Sequence, residues 1–144
     1  MKVLIVDDSP LICLRLAALL SDVEGVEIAG YTTDSALVIS SVTSLKPDVV
    51  ILDIQLVGAS GIDFLRQIRR DHPGIVVVML TNLADPRYRK TCLEAGAAFF
   101  FDKSTQIFEL AALFERLAQE PKSGRIAGQK SLAPFDPDPE RPPA

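Results

Sequence analysis

Apolar residues gather in five short runs: "KVLIVD" (2–7), "VEIAGY" (26–31), "DVVILD" (48–53), "IVVVML" (75–80) and "AFFFD" (98–102). Each is rich in β-branched or aromatic side chains and reads as a strand. Between them the apolar spacing changes to a helical one. "SPLICLRLAALL" opens with Ser9 as N-cap and Pro10 at the first helical position. "TDSALVISSVTSL" ends just before Pro47. "SGIDFLRQIRRD" has Ser60 as cap, a stripe of Ile62, Leu65 and Ile68, and a stop at His72-Pro73-Gly74. "DPRYRKTCLEAG" has Asp85 as cap, Pro86 at the first position and Gly96 past the end. "TQIFELAALFERLAQ" carries Ile107, Leu110, Ala111, Phe114 and Leu117 at helical spacing.

Strict alternation of strand and helix predicts an α/β fold with a parallel sheet covered on both faces. Runs such as "VVIL" and "IVVVML" are continuously apolar, as strands buried on both sides must be. In the last strand Phe99 and Phe101 face one side and Phe100 the other. The pattern stops near residue 119. From Pro121 the chain holds six of its ten prolines and almost no apolar periodicity, so residues 120–144 read as a disordered, proline-rich tail after a domain at 1–119.

Composition narrows the classes. With 144 residues, 48% hydrophobic, the chain can build one sizeable core. No window approaches the ~20 apolar residues of a membrane span, and the acidic pair in "MKVLIVDD" comes too early for a signal peptide. The expected location is the cytoplasm. Cys13 and Cys92 stand apart, with no CxxC or Cys/His cluster, and read as buried thiols. His72, beside Pro73 at a helix end, reads as a surface residue. A net charge of −4 argues against direct nucleic-acid binding, which needs basic patches.

Parallel α/β sheets bind ligands outside the carboxyl ends of their strands. Those ends carry Asp7-Asp8, Asp53, Thr81 and Lys103. A lone Asp at a strand end is commonly a helix cap and a lone Lys a solvated charge; the joint pattern is what points to chemistry. Three converging carboxylates repel one another, and a divalent cation relieves that. Oxygen donors without His or Cys suit Mg²⁺. Lys103 and Thr81 add an ammonium and a hydroxyl, which with the cation suit a tetrahedral phosphoryl group. One carboxylate is then free to act as nucleophile and form an acyl phosphate.

The stretches "LIVDDSP", "PDVVILDIQLVGASGIDFL", "VVMLTN" and "GAAFFFDKS" resemble the receiver domains of two-component response regulators, in order and spacing, over residues 1 to about 118. The resemblance implies a flavodoxin-like five-stranded parallel sheet of order 2-1-3-4-5 with five helices on its two faces. It implies Asp53 as phosphoacceptor. It implies Mg²⁺ bound by Asp8 and Asp53 directly, by Asp7 through water and by the carbonyl of Gln55. Thr81 becomes the switch hydroxyl, Phe100 stands where a switch aromatic, usually Tyr, belongs, and Lys103 pairs with the phosphoryl oxygens. The expected partners are a histidine kinase or a histidine phosphotransfer protein, docking on a first-helix stripe of Leu11, Ile12, Arg15, Ala18 and Leu19; simple packing of that stripe under the last helix is the competing reading. A downstream protein, or a second copy in a homodimer, would use the face of helix four, strand five and helix five, where Arg87, Lys90 and Arg116 lie.

Four positions depart from the family pattern. Val57 and Ser104 replace prolines, so a cis bond after Lys103 is not expected. Asn82 replaces a small residue after Thr81 and should tune access to Asp53. Phe100 lacks a hydroxyl, so its inward state is expected to rest on packing alone.

The expected function is a stand-alone receiver that switches protein–protein interactions and is not an enzyme. The alternatives are a receiver part of a larger DNA-binding regulator, or a phosphate sink. A Mg²⁺-dependent phosphatase of the haloacid-dehalogenase type would need an acid two residues after the nucleophile, where Gln55 stands. A nucleotide-binding module would need a glycine-rich loop after the first strand, and none is present.

Overall fold

A computed structural model describes residues 1–120. Five strands form one parallel sheet: β1 (Lys2–Val6), β2 (Glu27–Thr32), β3 (Val49–Leu52), β6 (Val76–Thr81) and β7 (Phe99–Asp102). Their order is β2-β1-β3-β6-β7. Between β3 and β6 lies a two-residue antiparallel ribbon, β4 (Gln55–Leu56) with β5 (Ala59–Ser60), so the main sheet has the expected order 2-1-3-4-5. The helices are α1 (Pro10–Ser21), α2 (Val38–Leu45), α3 (Gly61–Asp71), α4 (Pro86–Glu94) and α5 (Glu109–Gln119).

The predicted caps form. Ser9 accepts from the backbone N–H of Ile12, Ser60 from that of Ile62 and Asp85 from that of Arg87. Pro10 and Pro86 occupy first-turn positions, where a missing N–H costs nothing. Central strands β1, β3 and β6 are buried on both faces, save for Lys2 at the start of β1. The three phenylalanines divide between two core layers. Phe99 and Phe101 lie in the core layer that holds Leu16, Leu110 and Phe114; Phe100 lies in the opposite layer, with Val42, Leu65 and Cys92.

Three expectations shift. The second helical segment divides into a 3₁₀ turn, Ser35–Leu37, capped by Asp34, and α2 proper. The last helix begins at Glu109 rather than near Thr105, because Thr105 and Gln106 fold back onto Asp102 through backbone hydrogen bonds. The ribbon β4–β5 was not foreseen: two-residue strands carry no periodic signal, and its turn is made by Gly58 at φ +75°. Of the tail read at 120–144, residues 121–144 lie outside the described residues.

Cys13 and Cys92 are free and fully buried, as expected. Burial pushes each thiol up to about 11, and the negative charge of Asp7 adds to the effect at Cys13. A raised thiol binds its proton more tightly in the folded state. The associated stability is therefore complete below the ordinary thiol pKa of about 8.5 and is lost as pH rises through the folded value. Urea denaturation should show a falling midpoint between pH 8.5 and 11. Cys92→Ala should lower the midpoint overall but flatten that fall.

Candidate functional site

The carboxyl ends of β1, β3, β6 and β7 bring the predicted groups to one rim. Asp7 and Asp8 directly follow β1 and Asp53 directly follows β3. The Asp53 N–H donates to the carbonyl of Val6 at 3.2 Å, and that of Asp7 to Thr32 at 3.3 Å, so ladder-type bonds fix both aspartates to neighbouring strands. Both are nearly buried, at 3% exposure for Asp7 and 6% for Asp53.

Lys103 bridges them. Its Nζ donates to Asp7 Oδ2 at 2.5 Å and to Asp53 Oδ2 at 2.7 Å. Burial, the largest single influence, lowers the pKa of such an ammonium. The hydrogen bonds and charges of Asp53 and Asp7 together outweigh it and hold Lys103 above the ordinary lysine value. The other carboxylate oxygens take local backbone donors: Asp7 Oδ1 accepts from Ser9 N–H at 2.9 Å and Asp53 Oδ1 from Gln55 N–H at 3.2 Å.

The lysine is aimed by a tight turn. Its N–H donates to the carbonyl of Thr81 at 2.9 Å. Asp102 Oδ1 accepts from the N–H and hydroxyl of Ser104, and the Asp102 N–H donates to Gln106 Oε1 at 2.7 Å. Asp102, Ser104 and Gln106 were not singled out in the sequence. The Asp-x-Ser spacing is the signal for such an Asx turn. No peptide bond among the described residues is cis, in line with Ser104 replacing proline.

Asp8 differs from its neighbours. Its Oδ1 is buried and has no hydrogen-bond partner. A buried carboxylate oxygen without a donor is costly, and a hard cation is the group that would satisfy it. The donor chemistry of Asp7, Asp8, Asp53 and the Gln55 carbonyl therefore fits Mg²⁺. As the side chains stand, no three acidic, His or Cys groups among the described residues gather closely enough to hold a metal. The ammonium of Lys103 takes one oxygen of Asp7 and one of Asp53.

Thr81 is fully buried, and its Oγ1 accepts from the N–H of Leu83 at 3.1 Å rather than bonding Asp53. Asn82, next to it, is exposed. Phe100 is buried at 3% exposure, but not by packing alone: the Arg89 guanidinium lies 5.9 Å from its ring centroid. That corrects the expectation from the sequence, which could not bring α4 over β7.

The first-helix stripe divides. Leu11 is 57% exposed, and Arg15 and Ala18 are exposed, whereas Ile12 and Leu19 are half-buried and Ile12 packs on the core. Leu14, not picked out from the sequence, is 55% exposed. Arg87 and Lys90 on α4 and Arg116 on α5 are exposed, with Arg87 paired to Asp85 and Lys90 to Glu94. His72 caps α3 at the opposite end of the sheet, where it joins Val42, Lys46 and Asp48 around a cavity of about 290 Å³.

Comparison with known proteins matches the chain to a family. The family model "Response regulator receiver domain" matches residues 3–115. "Response regulator GacA" of Pseudomonas syringae pv. syringae (strain B728a) is 31% identical over 138 residues, covering 94% of this chain and 64% of the relative. "DNA-binding transcriptional activator EvgA" of Escherichia coli (strain K12) is 30% identical over 115 residues, covering 80% of this chain and 56% of that protein. The chain thus spans just under two thirds of the length of GacA. Among solved structures, the isolated REC domain of RcsB from Salmonella enterica serovar Typhimurium in the presence of phosphomimetic BeF3- superposes with a TM-score of 0.77 at 23% identity, covering 88% of this chain and 97% of that one. The response regulator domain of Thermotoga maritima CheB gives a TM-score of 0.73 at 24% identity, over 85% and 96%. The chain belongs to the response regulator receiver domain family.

Proposed function

We propose that Asp53 accepts a phosphoryl group from a histidine kinase or histidine phosphotransfer protein and that the modified domain changes its protein contacts. The observation that carries this reading is the buried Asp7–Lys103–Asp53 bridge beside the unpartnered Asp8 oxygen. A carboxylate oxygen of Asp53 attacks phosphorus, the bond from phosphorus to the donor nitrogen breaks, and an acyl phosphate forms. Lys103 leaves its shared position between the two aspartates and pairs with the phosphoryl oxygens. Thr81 gives up its acceptor role toward Leu83 and donates its hydroxyl to the same group. Bound by Asp7, Asp8, Asp53 and the Gln55 carbonyl, Mg²⁺ would offset the negative charge that builds up at the phosphoryl group.

Intact mass after incubation with a small phosphodonor tests the reading. A Mg²⁺-dependent gain of one phosphoryl group in the wild type, absent in Asp53→Asn, is the expected outcome. No gain in the wild type would overturn it.

Exposed Leu11, Leu14 and Arg15 on α1 support docking of the phosphodonor protein there, and the exposed charges of α4 and α5 support an output partner or a second copy on that face. No helix among the described residues is long and apolar enough to cross a membrane, which agrees with a cytoplasmic site of action. A second reading, a receiver part of a larger regulator, is favoured by the greater length of its relatives, one of which is described as DNA-binding.

Asn82 is exposed directly after Thr81. Removing its amide in Asn82→Ala should open the approach to Asp53 and speed both phosphoryl uptake and its hydrolysis by several-fold. Rates from mass spectrometry over time check this, and unchanged rates would exclude an access role.

A further inference from the structure

Phe100 is the one aromatic of its run that lies in the core layer shared with α2, α3 and α4, and it carries no hydroxyl to fix its position. Arg89, at the middle of α4, reaches back over β7. Its guanidinium lies 5.9 Å from the Phe100 ring centroid, and its Nη1 donates to the Phe100 carbonyl at 3.4 Å. One side chain thus grips both the ring and the backbone of the same residue. A guanidinium over an aromatic face is attractive, and more so where water is partly excluded. Arg89 is half-buried, and Phe100 is nearly sealed.

We propose that Arg89 is a positioning residue that holds Phe100 inward before any phosphoryl group arrives, replacing the hydroxyl that this aromatic lacks. The inference rests on the reading of the Asp53 rim as a phosphoryl switch. Phe100 pairs in register with Met79, two residues before Thr81 on β6. The segment after Thr81 leads directly into α4, which carries Arg89. Arg89 therefore links the helix that follows the switch hydroxyl to the aromatic beside it. With the ring already inward, modification has to move Thr81 and Lys103 but not Phe100. A ligand that requires the inward state binds in proportion to its population.

Met79 and Met1 are the two methionines of the chain, and Met79 lies in the same core layer as Phe100, so its methyl group senses the ring. ¹³C-methyl-methionine spectra of the full chain should place the Met79 signal of Arg89→Met partway toward that of Phe100→Leu. Arg89→Lys, which keeps a cation over the ring, should stay near the wild type. The inward-to-outward ratio should fall on the order of 5-fold in Arg89→Met. Titration with beryllofluoride and Mg²⁺ should then need more beryllofluoride in Arg89→Met than in wild type. In a Phe100→Leu background, Arg89→Met should change neither reading further. An unmoved Met79 signal, a lower beryllofluoride midpoint, or an equal Arg89→Met effect without Phe100 would overturn the inference. If wild type ignores beryllofluoride, the phosphoryl reading of the rim fails, while the Met79 comparison in resting protein still decides the role of Arg89.

Discussion

Lys103→Met should destabilise the protein by about 3 kcal/mol at neutral pH, the scale for stripping one partner from a buried ion pair. The side chains of Asp7 and Asp53 are only 5% and 8% exposed, and both direct an oxygen at the same ammonium. Without it, two carboxylates face each other out of water with no counter-charge. They can bind a divalent cation in place of the ammonium. Mg²⁺ should therefore raise the urea midpoint of Lys103→Met more than that of the wild type. An equal response in both proteins would mean that the oxygens released by Lys103 are not cation ligands. In the wild type the sign of the lysine's own linkage is fixed by its raised pKa. Its contribution is complete below the ordinary value of about 10.4 and is lost as pH rises beyond it.

Gly61→Ala should lower stability by about 3 kcal/mol or more, at or beyond the upper end of ordinary overpacking. A Cβ on Gly61 would lie 1.9 Å from the carbonyl oxygen of Asp53 and 2.9 Å from Cα of Ile54. The obstacle is backbone, so no side chain can swing aside. The contact is also fastened, because the Gly61 N–H donates to the carbonyl of Ile54 at 2.6 Å. The first residue of α3 is thus pressed onto the chain segment that carries the proposed phosphoacceptor. The variant has to unfold more easily or push Asp53 away from Lys103, and either costs phosphoryl uptake. Thermal unfolding should drop by roughly 10 °C. Gly58→Ala is the control: it has the positive φ of +75° but nothing within 4 Å of an added Cβ. It should cost only about 1 kcal/mol and leave uptake intact. Equal effects at the two glycines would show that the close approach to Asp53 has no consequence.

The parts of this architecture that follow from local chemistry could be read directly. Continuous apolar runs mark strands buried on both faces, and Ser9, Ser60 and Asp85 mark helix starts because their side chains satisfy orphan N–H groups. Asp7, Asp53, Thr81 and Lys103 were legible as a set because a parallel sheet brings its carboxyl ends to one rim. What was hidden depends on tertiary contact. Nothing in "GASGID" says that Gly61 touches the Asp53 carbonyl, and nothing in "RYRK" says that Arg89 crosses to Phe100. The first-helix stripe was drawn from spacing alone. The sheet and α5 then bury Leu16 and Leu20 and leave Leu11 and Leu14 outside, a division that helical period cannot supply without a known core direction.

The central claim is that Asp53, among three neighbouring aspartates, is the residue modified. Borohydride reduces an aspartyl phosphate to homoserine, which marks the position permanently. The protein would be incubated with a small phosphodonor and Mg²⁺, reduced, digested and sequenced by tandem mass spectrometry. Homoserine at position 53 alone, and none when Mg²⁺ is chelated, is the predicted result. Homoserine at position 7 or 8, or an unreduced peptide spanning residue 53 from a protein that has gained phosphoryl mass, would contradict the assignment.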